Sequence, residues 1–231
     1  MIKFNQNKEE LIQNGFSITQ PVFSNEERLS LINLIEGVEK NYAIRQLVNR
    51  IPEIKEIVFK NKEFKKLYNT VCNEDYFLSK AIFFNKPAKS NWFVSHHQDL
   101  SISVKEKMEI EGYTNWTNKN GQLGVIPPKE ILENTITFRI HLDKTNNTNG
   151  ALRVLKNTHK KGIIRIDESF RKEDLGEEEL CIVKQGGIML MNPLLLHASS
   201  RSVSEHDRRV IHLEFCNQQI PMGWLERKEV V

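Results

Sequence analysis

The rhythm of apolar and polar positions changes near residue 75. Before that point it is helical. Leu29, Leu31, Ile32, Leu34 and Ile35 recur at the spacing of one helix face, which predicts a helix running to about Lys40. Ser24 precedes this run with Glu27 three positions on, so Ser24 is the expected N-cap of a capping box. Between Ala43 and Val71 lie two further helical patches around Pro52, with Lys and Glu on the exposed side. Residues 1–22 read as an entry segment, in which Gly15-Phe16-Ser17-Ile18 predicts a short strand ending at Pro21. Helices over 24–71 are expected to brace the outside of a sheet.

From Tyr76 the period becomes that of strands. Phe77 to Phe84 is an apolar run of strand length, stopped by Asn85-Lys86-Pro87, and Trp92 to Asp99 predicts the next strand. Asn134 to Asp143 alternates most clearly: Thr135, Thr137, Arg139 and His141 share one face, and Ile136, Phe138, Ile140 and Leu142 the other. Such a strand packs on apolar core and turns its polar face toward a cavity or water. Further short strands follow at Ala151–Leu155, Cys181–Lys184, Ile188–Met191, Pro193–His197 and Arg209–Phe215, separated by Gly-containing turns. Two stretches break the pattern. Residues 100–133 are charged and carry Gly112, Gly121, Gly124 and Pro127-Pro128, the composition of a long excursion or lid; residues 165–180 read as an acidic surface excursion. Short strands without intervening helices predict a mainly β protein, an antiparallel double-sheet jelly roll over about 76–216 with N-terminal helices outside it. No repeat or linker divides the chain, so 1–231 is expected to form a single domain.

Composition narrows the function. A formal charge of +3, from 33 basic and 30 acidic residues well interspersed, argues against nucleic acid or membrane as partner and leaves small molecules. No apolar run approaches transmembrane length, and Met1-Ile2-Lys3-Phe4-Asn5-Gln6 begins no signal peptide. The three cysteines (Cys72, Cys181, Cys216) are odd in number and form no C-x-x-C pair, which fits a reducing, cytoplasmic setting.

The candidate chemistry centres on the stretch from Asn91 to Asp99, which ends in His97-x-Asp99. Residues two apart on a strand project together, so His97 and Asp99 converge while His96 and Gln98 face away. An imidazole and a carboxylate on one strand end are two ligands of the two-histidine, one-carboxylate iron(II) face. His197, ending an apolar run before Ala198-Ser199-Ser200, is the natural third. Three ligands leave three open positions on an octahedral iron, enough for a chelating cosubstrate and dioxygen. Were 2-oxoglutarate that chelator, its distal carboxylate would need a fixed cation. Arg208, eleven residues past His197, suits that need through its planar fork, and Ser199 offers a hydroxyl. Strand parity sends the neighbouring Arg209 to the opposite side.

The chain resembles the phytanoyl-CoA dioxygenase family of iron(II)/2-oxoglutarate oxygenases, and more narrowly an uncharacterised bacterial subgroup of it. The segments that carry the resemblance are Asn91-Trp92 through His97-Gln98-Asp99-Leu100, Gly112-Tyr113-Thr114-Asn115-Trp116, Phe138-Arg139-Ile140-His141-Leu142-Asp143, Asn149-Gly150-Ala151-Leu152-Arg153-Val154-Leu155, and Leu194 to Ser200 with Arg208-Arg209. In order and spacing they span roughly residues 76–216. The resemblance implies a double-stranded β-helix, an iron(II) held by His97, Asp99 and His197, and 2-oxoglutarate held by Arg208 with Ser199. It further implies hydroxylation of an unactivated C–H bond with dioxygen, releasing succinate and carbon dioxide. Related halogenases lack the carboxylate supplied here by Asp99, which favours hydroxylation. Trp116, Thr137 and Arg139 are candidates for the wall of the pocket. The family usually has Pro-Gly-Ser-His where this chain has Lys156-Asn157-Thr158-His159, which puts the geometry of that turn in question. Two other readings stay open, a cupin-type dioxygenase or isomerase that does not use 2-oxoglutarate, and a binding module on the same fold.

Overall fold

The computed structural model describes residues 4–38, 42–73, 75–90, 92–119, 121–167 and 169–230. The expected helix end at Lys40, Asn91 at the head of the His97-x-Asp99 stretch and the first three residues lie outside these. Two antiparallel sheets form a jelly roll. The larger has the order β1 (Phe16–Ile18), β11 (Ile188–Met191), β8 (Thr135–His141), β13 (Arg208–Cys216), β3 (Phe77–Lys86) and β2 (Ala43–Arg45). The smaller runs β10 (Glu178–Leu180), β9 (Leu152–Leu155), β12 (His197–Ser199) and β4 (Val94–His97).

The outer face of the larger sheet is covered by α1 (Asn5–Asn14), α2 (Asn25–Glu36), α3 (Leu47–Arg50), α4 (Ile54–Val58) and α5 (Lys62–Val71). These helices depart from expectation at three points. The entry segment contains α1, and two helical patches become three, interrupted at Pro52 and again at the Asn61 N-cap, whose side chain accepts from Phe64 N. The capping box of Ser24 and Glu27 forms, but α2 stops at Glu36 because Gly37, a poor helix residue, follows it. On α5, Phe64, Leu67, Tyr68 and Val71 form one buried stripe. That stripe meets Phe138 and Phe215 from the sheet, with ring centroids of Phe138 and Phe215 5.0 Å apart and of Tyr68 and Phe215 5.1 Å apart. Each such side chain withdrawn from water contributes about 1.5–3 kcal/mol.

The excursion over 100–133 is not irregular. It folds into a third antiparallel sheet of β5 (Ile102–Val104), β7 (Gln122–Ile126) and β6 (Thr114–Lys119), followed by α6 (Lys129–Glu133). Strand β6 reads Thr-Asn-Trp-Thr-Asn-Lys and is exposed except at Trp116, so it has no apolar alternation to announce it. Its order comes from backbone pairing with β7, whose Val125 is buried in a second cluster with Ile102, Val104 and Trp224. The strand predicted at Trp92–Asp99 shortens to β4, and β3 continues through Asn85 and Lys86, where a stop was expected. The Lys156–His159 turn is a short 3-10 helix from Thr158, entered through Asn157 at φ 64°. Asn is among the few non-Gly residues that adopt this left-handed conformation readily.

Candidate metal centre

Backbone register brings the two histidines together. On β4 and β12, His97 and His197 are direct cross-strand partners, and their ring centroids lie 4.2 Å apart. Asp99 lies just past β4, where its N–H donates to Pro193 O at 2.9 Å. Between the ligand candidates, Gln98 acts as a clamp. Its amide donates to Gly162 O (2.8 Å) and Leu194 O (2.6 Å), and its oxygen accepts from Ile164 N (2.8 Å). The chain therefore leaves β4 with Asp99 on the same side as His97. One Asp99 oxygen lies 3.7 Å from His97 Nε2 and the other 3.8 Å from His197 Nε2, and one ligand atom from each residue falls within 4.8 Å of the others.

The donor set fits a divalent metal. Each imidazole donates Nδ1–H to the carbonyl two residues before it, His97 to Ser95 O and His197 to Leu195 O, both at 2.9 Å. Those bonds fix the tautomer and leave the Nε2 lone pairs toward Asp99. Burial lowers the His197 pKa to about 4 against the opposing pull of Asp99, so the ring is neutral at neutral pH, the form that ligates. Burial acts to raise the Asp99 carboxyl, but its interactions with the neighbouring His197, His212, His97 and Lys80 overcome this and hold the group below the usual carboxylate range. His96 points to the other side, with Nε2 2.7 Å from Glu178 on β10.

A cavity of about 200 Å³ opens on this cluster and is lined also by Arg208, Lys86, Ser199 and Arg139. Arg208 is buried, and its Nη1 donates to Gly150 O at 2.6 Å while its Nε has no partner. Among the described residues no carboxylate pairs with it. Burial, then the charge of Arg139, lowers the guanidinium to about 9. Beside it, Lys86 donates to Ser199 Oγ (2.8 Å) and Ser200 O (2.6 Å) and is lowered to about 8 by burial and then by Arg208. The Ser199 hydroxyl donates to Gly150 O at 2.9 Å, so in this structure it holds Lys86 and the Gly150 carbonyl in place next to Arg208. Gly150 has φ +75°, and a Cβ there would meet Ser200 O at 2.7 Å and Lys86 Nζ at 2.9 Å. Arg209 leaves the opposite face, bound through Nε (2.8 Å) and Nη2 (2.9 Å) to Asp143.

The other expected wall residues divide. Arg139 lines the cavity and donates to His212 Nδ1 at 3.0 Å, and His212 Nε2 donates in turn to Glu214 at 2.9 Å. Glu214 is also bound by Lys80 at 2.8 Å, completing a buried network beside Asp99. Thr137 lies on the same inward face, paired across strands with Glu214, but does not line the cavity. Trp116 sits on β6 against the second apolar cluster, 5.9 Å below the Lys107 ammonium, and lines neither this cavity nor its neighbour. Sequence reasoning missed Lys86, His212, Glu214 and Lys80. The available signal was the parity of Lys80 and Lys86 within an otherwise apolar strand, and of His212 and Glu214 with Arg208 on β13.

Fold and donor set together define a jelly-roll protein with a two-histidine, one-carboxylate metal face. A model of the phytanoyl-CoA dioxygenase family matches residues 12–210, and the chain belongs to that family, which places it in the oxygenase class. No curated protein matches the sequence. Similar solved structures include the non-haem alpha-ketoglutarate-dependent carbocyclase SnoK from nogalamycin biosynthesis, at 12% identity and TM-score 0.67 over 96% of this chain and 92% of that one. The epimerase SnoN of the same biosynthesis matches at 8% identity and TM-score 0.68, over 92% and 80%. HygX from Streptomyces hygroscopicus, with nickel and 2-oxoglutarate bound, matches at 15% identity and TM-score 0.63, over 91% and 85%. At these identities the likeness is one of fold. No helix among the described residues is long and apolar enough to cross a membrane.

Proposed function

We propose that this protein is an iron(II)- and 2-oxoglutarate-dependent dioxygenase that hydroxylates an unactivated C–H bond of a small-molecule metabolite. On this proposal residues 1–231 form one domain that acts on that substrate. The observation that carries it is the pairing, in a single cavity, of the His97, Asp99 and His197 face with a buried Arg208 that no carboxylate among the described residues neutralises. A buried cation without a counter-charge is costly, and a ligand carboxylate removes that cost. The cosubstrate fits both ends: its keto-acid group suits the metal face, and its distal carboxylate suits Arg208 with Lys86. Iron with 2-oxoglutarate and dioxygen supplies the oxidising power, with succinate and carbon dioxide as coproducts. The protein's own residues do the rest. His97, Asp99 and His197 offer three ligands on one side and keep the other open. Arg208 and Lys86 orient the cosubstrate, and Ser199 and Gly150 hold those two cations. Leu152, Phe84 and Val94 exclude water from the same cavity.

The test is succinate release from 2-oxoglutarate by the iron-loaded protein, with and without the cell's own metabolite extract. Iron-dependent succinate formation that the extract stimulates is the expected result. Oxygen consumption without succinate would instead favour a cupin-type dioxygenase, and no turnover at all a binding module.

A further inference from the structure

A second cavity, of about 240 Å³, meets the first along Lys80, Ile82 and Asp99. Its far walls come from β2 and from the β6–β7 hairpin, which have no part in holding metal or cosubstrate. Their chemistry is distinctive. Arg45 on β2 and Lys119 at the end of β6 both line it, and among the described residues neither pairs with a carboxylate. Lys80, the third cation there, is already bound to Glu214, so the free positive charge belongs to Arg45 and Lys119. Gln122 donates its amide to Ser103 Oγ at 2.8 Å, which leaves its Oε1 buried and without a partner. A buried carbonyl oxygen that accepts nothing is a site for a ligand O–H or N–H. At Gly124 a Cβ would meet Thr117 Oγ1 at 2.7 Å and Ser101 Oγ at 2.8 Å, so the glycine lets two hydroxyls converge over β7. Apolar lining is confined to Ile82 and Leu100.

We propose that this second cavity is the subsite for the primary substrate, and that the substrate is a small polar anion, carrying a carboxylate or phosphate ester together with at least one hydroxyl or N–H. This rests on the oxygenase reading, since the subsite matters through its shared wall at Asp99. Arg45 and Lys119 take the anionic group, and Gln122 Oε1 accepts from the hydroxyl or N–H. Ser101 and Thr117 supply further hydrogen bonds. A long acyl chain is excluded by the same lining, which would leave the Gln122 carbonyl and both cations facing hydrocarbon.

The test uses the full chain loaded with nickel(II) and 2-oxoglutarate, the metal chosen so that turnover does not consume the probe. The probe is the cell's metabolite extract, split at neutral pH on an anion exchanger into retained and unretained fractions. The retained fraction should raise the melting temperature, and the unretained fraction should not. In an R45Q/K119Q double variant, about tenfold or more of the retained fraction should be needed for the same rise, as expected for lost charge-assisted hydrogen bonds. Gln122→Leu should weaken the response on its own, and Arg45→Lys should restore part of it. Phosphatase treatment distinguishes the two anions: a phosphate ester loses its effect and a carboxylate keeps it, and either supports the subsite. A response to the unretained fraction, to neither fraction, or an equal response of the double variant overturns it. Nickel with 2-oxoglutarate should by itself raise the wild-type melting temperature. If it does not, the oxygenase reading is what fails, while the response of nickel-free protein to the retained fraction still reports on the subsite.

Discussion

The two faces of the large sheet are equally buried and opposite in chemistry. Toward the helices, β8 and β13 present Phe138, Ile140, Ile211, Leu213 and Phe215. Toward the smaller sheet, the same strands present Thr137, Arg139, Arg208, His212 and Glu214, all buried. The first face stabilises the fold by removing apolar surface from water. On the second, every charge must find a partner or shift its pKa toward the neutral form, and evolution has no stability reason to prefer such groups over aliphatic ones. Arg208 and Arg209 state the contrast within one residue step. Arg209 is neutralised by Asp143 and by Glu36 at 2.5 Å, whereas among the described residues Arg208 pairs with no carboxylate and donates to the Gly150 carbonyl. A face that tolerates an unneutralised guanidinium is built for something that arrives later.

The contrast is tested most severely at the metal face. His97→Ala or His197→Ala should abolish iron binding and succinate formation, yet leave an apoprotein that unfolds cooperatively. Metal content and urea denaturation measured on the same preparations would show it, and loss of the cooperative transition would mean the histidines belong to the core. Next in size is Arg208→Ala, which under the proposed function would strand the cosubstrate carboxylate in a buried setting and should weaken 2-oxoglutarate by two to four decades, about 3–5 kcal/mol. Arg208→Lys should recover part, since a point charge does not replace the fork. Phe138→Ala, on the other face, should reverse the signature: about 3–5 kcal/mol of stability lost, with 2-oxoglutarate affinity preserved wherever the protein remains folded.

A smaller effect separates Lys86 from Arg208 by pH. Burial and Arg208 lower Lys86 to about 8 in the unliganded protein, and an arriving carboxylate favours its charged form, so binding raises that value. Ligand affinity should therefore fall as pH rises through about 8, and Lys86→Met should flatten this dependence while weakening binding at pH 7. Titrations of 2-oxoglutarate between pH 7 and 8.5, below the value of about 9 to which Arg208 is lowered, decide it. Smallest of all, Arg209→Ala should be silent toward 2-oxoglutarate and should cost about 1 kcal/mol or less of stability, the scale of a partly exposed ion pair.

Much of this architecture is readable before any coordinates. The alternation in Thr135–His141 identifies both faces of β8 and the His97-x-Asp99 parity identifies two groups on one side, because side-chain direction in a strand depends only on counting by twos. The capping box at Ser24 and the parity that separates Arg208 from Arg209 are equally local. Tertiary structure alone decided the rest. That His197 lies opposite His97 follows from the register of strands a hundred residues apart, and that Lys86 reaches Ser199 follows from the meeting of two sheets. The 100–133 sheet was hidden because β6 is polar apart from Trp116 and is held by backbone bonds to β7, which leave no trace in hydrophobic period. Local rules set which way a residue points. What it meets there depends on loop closures and registers that no short window of sequence contains.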